Sequence, residues 1–262
     1  MRLAFLSDIH GNLIALDAVL VDIRARGGVD AYWVLGDVAA IGYAPVPVIE
    51  RLVALPSVRF VRGNTDRHVA MGLPLLPSLT PEEMEGDPHR LVTMLEIVAS
   101  FAWTQGAVAA TGYLDWLTNL PLEQRLTLPD GTRLLGVHAA PGHDDGPGIH
   151  PGMTAEERDA AVAGSDADLV CVGHTHLPMD QSGDGVRVIN LGSVSNPKTA
   201  DRRASYGLLE ADARGYQFHP RRVAYEYQAV IAAITQSRHP AMSYLLAMFS
   251  TRTPDGMATA SA

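Results

Sequence analysis

Apolar positions along the first quarter of the chain alternate between short continuous runs and helical spacing. Leu3-Ala4-Phe5-Leu6 is a short run ending in Ser7-Asp8, the pattern of a buried strand. Leu13, Leu16, Val19-Leu20 and Ile23 then recur at helical spacing, and Gly27-Gly28 ends that helix. Tyr32 to Leu35 reads as a second strand, closing on Gly36-Asp37. Pro45 and Pro47 stand at the start of a second helix, near Val46 to Leu55. A third strand, Val58 to Val61, closes on Arg62-Gly63-Asn64. This alternation predicts a parallel sheet with right-handed crossovers.

Residues 67 to 120 break the rhythm. Leu91, Met94-Leu95, Val98 and Phe101-Ala102 recur at helical spacing, and Leu114, Leu117 and Leu120 suggest another helix. The stretch is expected to be a helical insertion near the active site, its amphipathic spacing serving packing. Leu122–Leu128 and Thr132–Val137 flank Pro129-Asp130-Gly131, a hairpin signal. Ala139 to Gly152, rich in Gly, Pro, His and Asp, is expected to be a loop. Thr154 and Glu157 form a capping box for a helix ending near Ala163. Leu169 to Val172 is a strand that runs into Gly173-His174-Thr175-His176, and Val186 to Leu191 and Tyr206 to Glu210 are further strands. Helices are expected from about Gln228 to Pro240 and from Ser243 to Phe249, with a frayed end over about 251–262. No repeat or linker divides the chain, so one domain over 1–262 is expected.

Composition narrows the function classes. Hydrophobic residues make up 47% and charged residues 19%, enough for a full core. Net charge is −9 and Lys198 is the only lysine, so no general nucleic-acid surface is expected. An anionic ligand then needs local positive charge, which a metal centre can supply. The single cysteine, Cys171, rules out a disulfide framework and, set between Val170 and Val172, reads as core. The opening apolar run is too short for a signal segment, and no apolar stretch reaches the roughly 20 residues of a membrane span. The expectation is a cytoplasmic protein with no membrane partner.

The placement of metal-capable residues carries the functional reading. Asp8 and His10, Asp37, Asn64, His138, and His174 with His176 each fall just past a predicted strand end. Carboxyl ends of strands in an open α/β sheet share one edge, where ligands bind. Taken alone, each residue has a structural explanation: a helix cap, a turn residue, a satisfied core histidine. Taken together they would require coincidence at every strand end. Imidazole, carboxylate and amide oxygen suit manganese, iron, zinc, cobalt or nickel, and Asp37 is placed centrally enough to bridge two ions.

The ordered set Asp8-Ile9-His10, Gly36-Asp37, Gly63-Asn64, His138 and Gly173-His174-Thr175-His176 resembles the calcineurin-like metallophosphoesterase signature. Asp8 to Asn12 and the late Asn190-Leu191-Gly192-Ser193 segment are similar to the small bacterial predicted phosphodiesterases of that superfamily. The resemblance spans residue 3 to about 193. It implies an α/β fold of four layers, two mixed β-sheets face to face with helices outside, the strands from Val186 to Val223 supplying much of the second sheet. It implies two divalent transition-metal ions, manganese foremost: Asp8, His10 and His176 on the first, Asn64, His138 and His174 on the second, Asp37 between them. Two such ions, roughly 3.5–4 Å apart, can share a hydroxide aimed in line at phosphorus. The expected activity is hydrolysis of a small or nucleotide-like phosphodiester, with phosphomonoester hydrolysis or a non-catalytic metal-binding scaffold as alternatives.

One position departs from the pattern. Many relatives carry a histidine after the motif asparagine, where it can protonate the leaving group, and this chain has Thr65. A threonine hydroxyl has no matched pKa for that task. His68 and His143 are candidate substitutes, so Asn64, His68 and His143 make up the catalytic candidates beyond the other ligands. Asp66 is expected to be a helix cap, and Ser193 and Asn196 either to contact phosphate or to build a turn. Tyr and Trp residues of the insertion could form a homo-oligomer surface or simply pack. A metallo-β-lactamase-like motif and a helical His-Asp pair are both absent around His138 to Asp145.

Overall fold

A computed structural model of the chain describes residues 1–72, 88–183 and 185–250. The expected frayed end and residues 73–87 of the expected insertion lie outside the described residues. In chain order the strands are β1 (Arg2–Leu6), β2 (Ala31–Leu35), β3 (Val58–Val61), β4 (Glu123–Thr127), β5 (Arg133–Val137), β6 (Leu169–Val172), β7 (Met179–Gly183), β8 (Val186–Asn190), β9 (Ala204–Asp212) and β10 (Gly215–Val223). The helices are α1 (Leu13–Ala25), α2 (Pro45–Val53), α3 (Asn64–Met71), α4 (Pro88–Ala110), α5 (Leu114–Thr118), α6 (Ala155–Val162), α7 (Tyr227–Ser237) and α8 (Met242–Ser250).

The strands form two mixed sheets of five, in the orders β10-β9-β1-β2-β3 and β4-β5-β6-β8-β7. In the first, β1, β2 and β3 run parallel, as the strand–helix alternation predicts, and β9 joins the other edge of β1 antiparallel. In the second, β5, β6 and β8 run parallel between the antiparallel strands β4 and β7. The expectation that Val186 to Val223 supplies much of the second sheet holds for β8 alone. β9 and β10 return to the first sheet instead. The reason is burial: Ala204 to Leu209 is buried on both faces, which calls for an interior strand, and the free edge of β1 provides that place. β7 was not expected at all, because Met179-Asp180-Gln181-Ser182-Gly183 is polar and half exposed, as an edge strand can be.

Alternation along the strands splits the core into layers. Phe5, Trp33 and Leu35 point one way and meet Leu134, Cys171 and Ile189 of the second sheet. Gly136 makes room there, since a Cβ would sit 2.7 Å from the Trp33 ring. Ala4, Leu6 and Val34 point the other way, onto Leu16, Val19, Leu20 and Ile49 of α1 and α2. Leu135, Val170 and Val188 face outward from the second sheet onto Val162 of α6. Cys171 is fully buried, and burial pushes its thiol far above the ordinary range, as a core cysteine requires.

The local signals behave as physics demands. Asn12 caps α1 by accepting from Ala15 N at 3.1 Å, and the Thr154–Glu157 capping box forms with both bonds. The insertion packs by its own aromatics: Trp116 meets Phe60 edge-on at 5.0 Å, Tyr113 meets Trp116 at 6.2 Å, and Trp103 meets His239 at 4.4 Å. The three aromatic side chains proposed for an oligomer surface are therefore half-buried inside this chain. The sequence reading also held that no stretch is long enough for a membrane span. His89–Ala110 is long and apolar enough by length and composition alone. In this fold the helix packs against α2, α3, α5 and α8.

Candidate metal centre

The turns after β1 and β2 interlock through backbone, as do those after β5 and β6, and carboxylates of Asp37, Asp66 and Asp8 join the turn after β3 and the two pairs. Ile9 N and His10 N both donate to the Asp37 carbonyl at 2.9 Å, and Asp8 N donates to the Gly36 carbonyl at 3.2 Å. Gly173 N donates to the His138 carbonyl at 2.9 Å, which ties β5 to β6. These turns hold five of the seven candidate ligands in left-handed backbone: Asp8 (φ 56°), His10 (47°), Asp37 (54°), His174 (67°) and His176 (61°). Each costs on the order of 1–3 kcal/mol and persists only where its surroundings overdetermine it, a pattern that collects at functional sites. Glycines supply the close approaches. A Cβ on Gly42 would overlap the His10 carbonyl, and one on Gly63 would overlap the Asp37 carboxylate.

The side chains meet in one cluster. His176 Nε2 lies 3.2 Å from Asp8 Oδ1 and 3.2 Å from His10 Nε2. Asp37 presents Oδ1 to His138 Nε2 at 3.4 Å and Oδ2 to His10 Nε2 at 3.7 Å. Asn64 Oδ1 lies 3.2 Å from both His138 Nε2 and His174 Nδ1. Two carboxylate–imidazole groups, Asp8–His10–His176 and Asp8–Asp37–His138, each bring their donor atoms close enough to hold one ion.

The far side of every imidazole is fixed. Nδ1 of His10, His138 and His176 faces the carbonyls of Ala40 (3.0 Å), Leu35 (2.7 Å) and Asn196 (2.8 Å). A carbonyl only accepts, so each of these Nδ1 atoms carries the proton and Nε2 turns a lone pair inward. His174 is reversed: its Nε2 donates to the Gly146 carbonyl at 2.9 Å, leaving Nδ1 for the centre. Lone pairs of His10 and His176 thus face each other at 3.2 Å. Imidazole nitrogens and carboxylate oxygens turned toward one place are a donor set that fits divalent metal.

Without an ion in the cluster, the buried carboxylates draw positive charge from the imidazoles instead, and a proton on His138 Nε2 takes the place an ion would fill. Burial opposes charge on Asp8, but His176 and His138 outweigh it and hold the carboxylate below its ordinary range. Burial likewise opposes Asp37, and His138 with His10 overrides it in the same direction. At His138, burial works against the imidazolium, yet Asp37 prevails and raises the group to about 10. His10 is lowered, with burial the largest cause.

Several expectations change here. Asp66 is not the N-cap of α3: Gly63 holds that place, and Asp66, at the third helical position, caps the helix start by accepting from Gly63 N. Its carboxylate accepts from Gly63 N (3.0 Å), Asp37 N (2.8 Å) and Val38 N (2.9 Å), so it holds the Asp37 turn. Burial, then Asp37, push Asp66 up to about 7. Ser193 builds a turn, donating to the Asp8 carbonyl at 2.8 Å and accepting from Ser195 N and Asn196 N. Asn196 contributes its carbonyl to His176. Asn190 holds the His174–His176 turn, donating to the Gly173 carbonyl at 2.8 Å and to Thr175 Oγ1 at 3.0 Å. The Asn190-Leu191-Gly192-Ser193 segment was the only sequence sign of these last roles. Thr65 donates its backbone N–H to Asp37 Oδ1 at 3.0 Å, while its buried hydroxyl finds no partner among the described residues. His68 sits one turn beyond Asn64 on α3, half-buried against Phe101. His143 is exposed, its backbone paired with Ala140.

The model of the calcineurin-like phosphoesterase superfamily domain matches residues 1–214. The chain belongs to this superfamily. It is accordingly a metal-dependent phosphoric ester hydrolase by family. It is 29% identical to phosphodiesterase YfcE of Escherichia coli K12, over 89% of this chain and 97% of that one. A metallophosphoesterase structure from Sphaerobacter thermophilus superposes with a TM-score of 0.70 at 29% identity, covering 95% of this chain and 99% of that one. A hypothetical protein of Pyrococcus horikoshii shares the fold, with a TM-score of 0.76 at 21% identity over 94% and 97% of the two chains.

Proposed function

We propose that this enzyme hydrolyses a small or nucleotide-like phosphodiester at a dinuclear centre, with manganese as its working metal. The observation that carries the reading is Asp37, whose two carboxylate oxygens face the two halves of the cluster, His138 on one side and His10 on the other. In this reading Asp8, His10 and His176 would hold one ion, Asn64, His138 and His174 would hold the other, and Asp37 would serve both. The likeness to a protein named phosphodiesterase supports the diester over the monoester.

Two divalent ions would supply charge neutralisation at the phosphoryl oxygens and an activated water. The chain's own part is to place and hold. The backbone carbonyls of Ala40, Leu35, Asn196 and Gly146 set the tautomer of each ligand imidazole. Asp66 clamps the turn that aims Asp37. His68 Nε2, one helical turn beyond Asn64 and 4.0 Å from Asp145 Oδ2, is our assignment for the proton donor to the leaving oxygen. Burial, with Arg67 next, lowers its pKa, so the acid form belongs to the lower end of the working pH range. His143 is the weaker assignment, being exposed on its loop.

Metal analysis of the purified protein, joined to turnover of bis(p-nitrophenyl) phosphate and p-nitrophenyl phosphate with added Mn²⁺, tests the proposal. About two ions per chain and faster diester turnover are expected. No bound ion and no turnover with any divalent metal would overturn it.

A further inference from the structure

Three of the four carbonyls that orient the ligand imidazoles stand in rigid surroundings. Leu35 and Ala40 are fully buried, and Asn196 is pinned by Ser193. The fourth, Gly146, is exposed, on the loop between β5 and α6. Something must hold that loop against His174. The contact is close: a Cβ on Gly148, where φ is 63°, would sit 2.7 Å from His174 Cδ2 and 2.8 Å from Thr175 Cγ2.

Asp144 supplies the fastening. Only 7% of it is exposed, and two arginines converge on its carboxylate. Arg62 Nε reaches Asp144 Oδ2 at 2.8 Å, and Arg67 Nε reaches both oxygens at 3.1 Å. Arg67 Nη2 also takes Asp145 Oδ2 at 2.8 Å, while Asp145 Oδ1 accepts from Gly146 N at 2.8 Å. Arg62 and Arg67 straddle Asn64 in sequence, and Arg62 N is itself anchored to the Pro121 carbonyl at 2.7 Å. A continuous chain of bonds therefore runs from α3, through Arg67, Asp144 and Asp145, to Gly146 and so to His174. Among the described residues no such chain of ion pairs reaches the carbonyl partners of His10, His138 or His176, which are those of Ala40, Leu35 and Asn196.

We infer that Asp144, buckled to Arg62 and Arg67, is a positioning residue that sets the orientation of His174 and, through it, the occupancy of the second metal position alone. The second half of the inference rests on the two-metal reading above. Breaking the buckle frees the loop, lets Gly146 leave, and allows His174 to change tautomer or turn. Outer partners of metal-bound histidines typically change affinity by about 10–100-fold.

The test uses the full chain and two readouts. Long-range ¹H–¹⁵N spectra of the metal-free protein report imidazole tautomers directly. Wild-type His174 should carry its proton on Nε2, Asp144→Ala should blur that state, and the signals of His10 and His176 should not move. Mn²⁺ titration should then show the weaker equivalent loosened about tenfold or more in Asp144→Ala, with the tighter one unchanged. Asp144→Glu should restore part of the loss, and Arg67→Gln should give a smaller shift of the same kind, which guards against an unfolded Asp144→Ala. An unchanged His174 spectrum, or equal loosening of both equivalents, overturns the inference. If wild type binds fewer than two ions while His174 still responds to Asp144→Ala, the two-metal reading falls and the positioning role stands.

Discussion

The two halves of the centre use similar ligands in unlike settings. Around Asp8 (0% exposed), His10 (6%) and His176 (9%) the protein closes completely, and the orienting carbonyls belong to turns stitched into both sheets. Around Asn64 and His174 the surface opens, and the orienting carbonyl of His174 rides on an exposed loop held by ion pairs. Burial strengthens every charge interaction in the inner half and makes an unfilled site costly there. The outer half gives up some of that strength for access. On the proposed two-ion reading, half-exposed Asn64 and His174 are the side a phosphate ester would reach, so the inner ion should be the structural anchor and the outer one the more exchangeable.

Asp37 turns one carboxylate oxygen toward each half, so its loss should have the largest effect. Asp37→Ala should remove both ions and lower diester turnover by about 10³-fold, the scale on which loss of one transition-state-stabilising group is felt. Retention of one tight ion would show that the halves are independent and Asp37 is not shared. The next test separates the halves. His174→Ala should keep about one ion per chain with turnover down about 10²-fold, whereas His176→Ala should weaken binding of both, because its Nε2 contacts Asp8, which also lies beside Asp37 and His138. Stepwise chelation of the wild-type protein should likewise remove metal in two phases. A single phase would erase the distinction between inner and outer half.

His68 follows Asn64 by one helical turn and lies near Asp145 of the loop that touches His174, so its removal should show in the outer half. His68→Asn should slow esters with poor leaving groups by about 10²-fold, the usual share of general acid catalysis. Esters that release p-nitrophenolate should change by less than about twofold, since that leaving group needs no proton. Equal slowing of both would assign His68 to binding or structure instead.

The seven ligand candidates were legible because each follows a strand end, and strand ends can be seen in apolar runs. Their left-handed backbone was not legible: nothing in Asp8 or His174 as a residue type announces a positive φ. The orienting carbonyls leave no trace in sequence either, since every residue has one. Asp66 looked like a cap because it follows Gly-Asn-Thr at a helix start, and only the tertiary fold shows its carboxylate reaching back to the Asp37 turn. β9 was read as a strand correctly and given to the wrong sheet, because pairing with β1 spans about two hundred residues and depends on which edge stays free. The Asp144 buckle hid in a stretch whose Gly and Pro content spoke only of a loop.

A buried histidine outside the centre separates acid effects on metal binding from acid effects on the fold. His239 is 3% exposed, packed edge-on against Trp103 of α4. Its Nδ1 accepts from Ala241 N at 3.0 Å, and its Nε2 has no partner among the described residues. Burial lowers its pKa to about 4. The unfolded chain takes up this proton near the ordinary value of about 6.5, and the folded chain only near 4. Stability from the neutral imidazole is thus complete above about pH 6.5 and drains as pH falls toward 4, by roughly 2–3 kcal/mol. The loss should appear where α7 and α8 dock on α4, not at the metal ligands. Melting of the metal-free protein from pH 7 to 4 should show it, and His239→Leu should flatten that part of the curve while leaving two-phase chelation at neutral pH unchanged. If the variant keeps the wild-type slope, the acid response belongs to the centre itself, and the inner half is less secure than its burial implies.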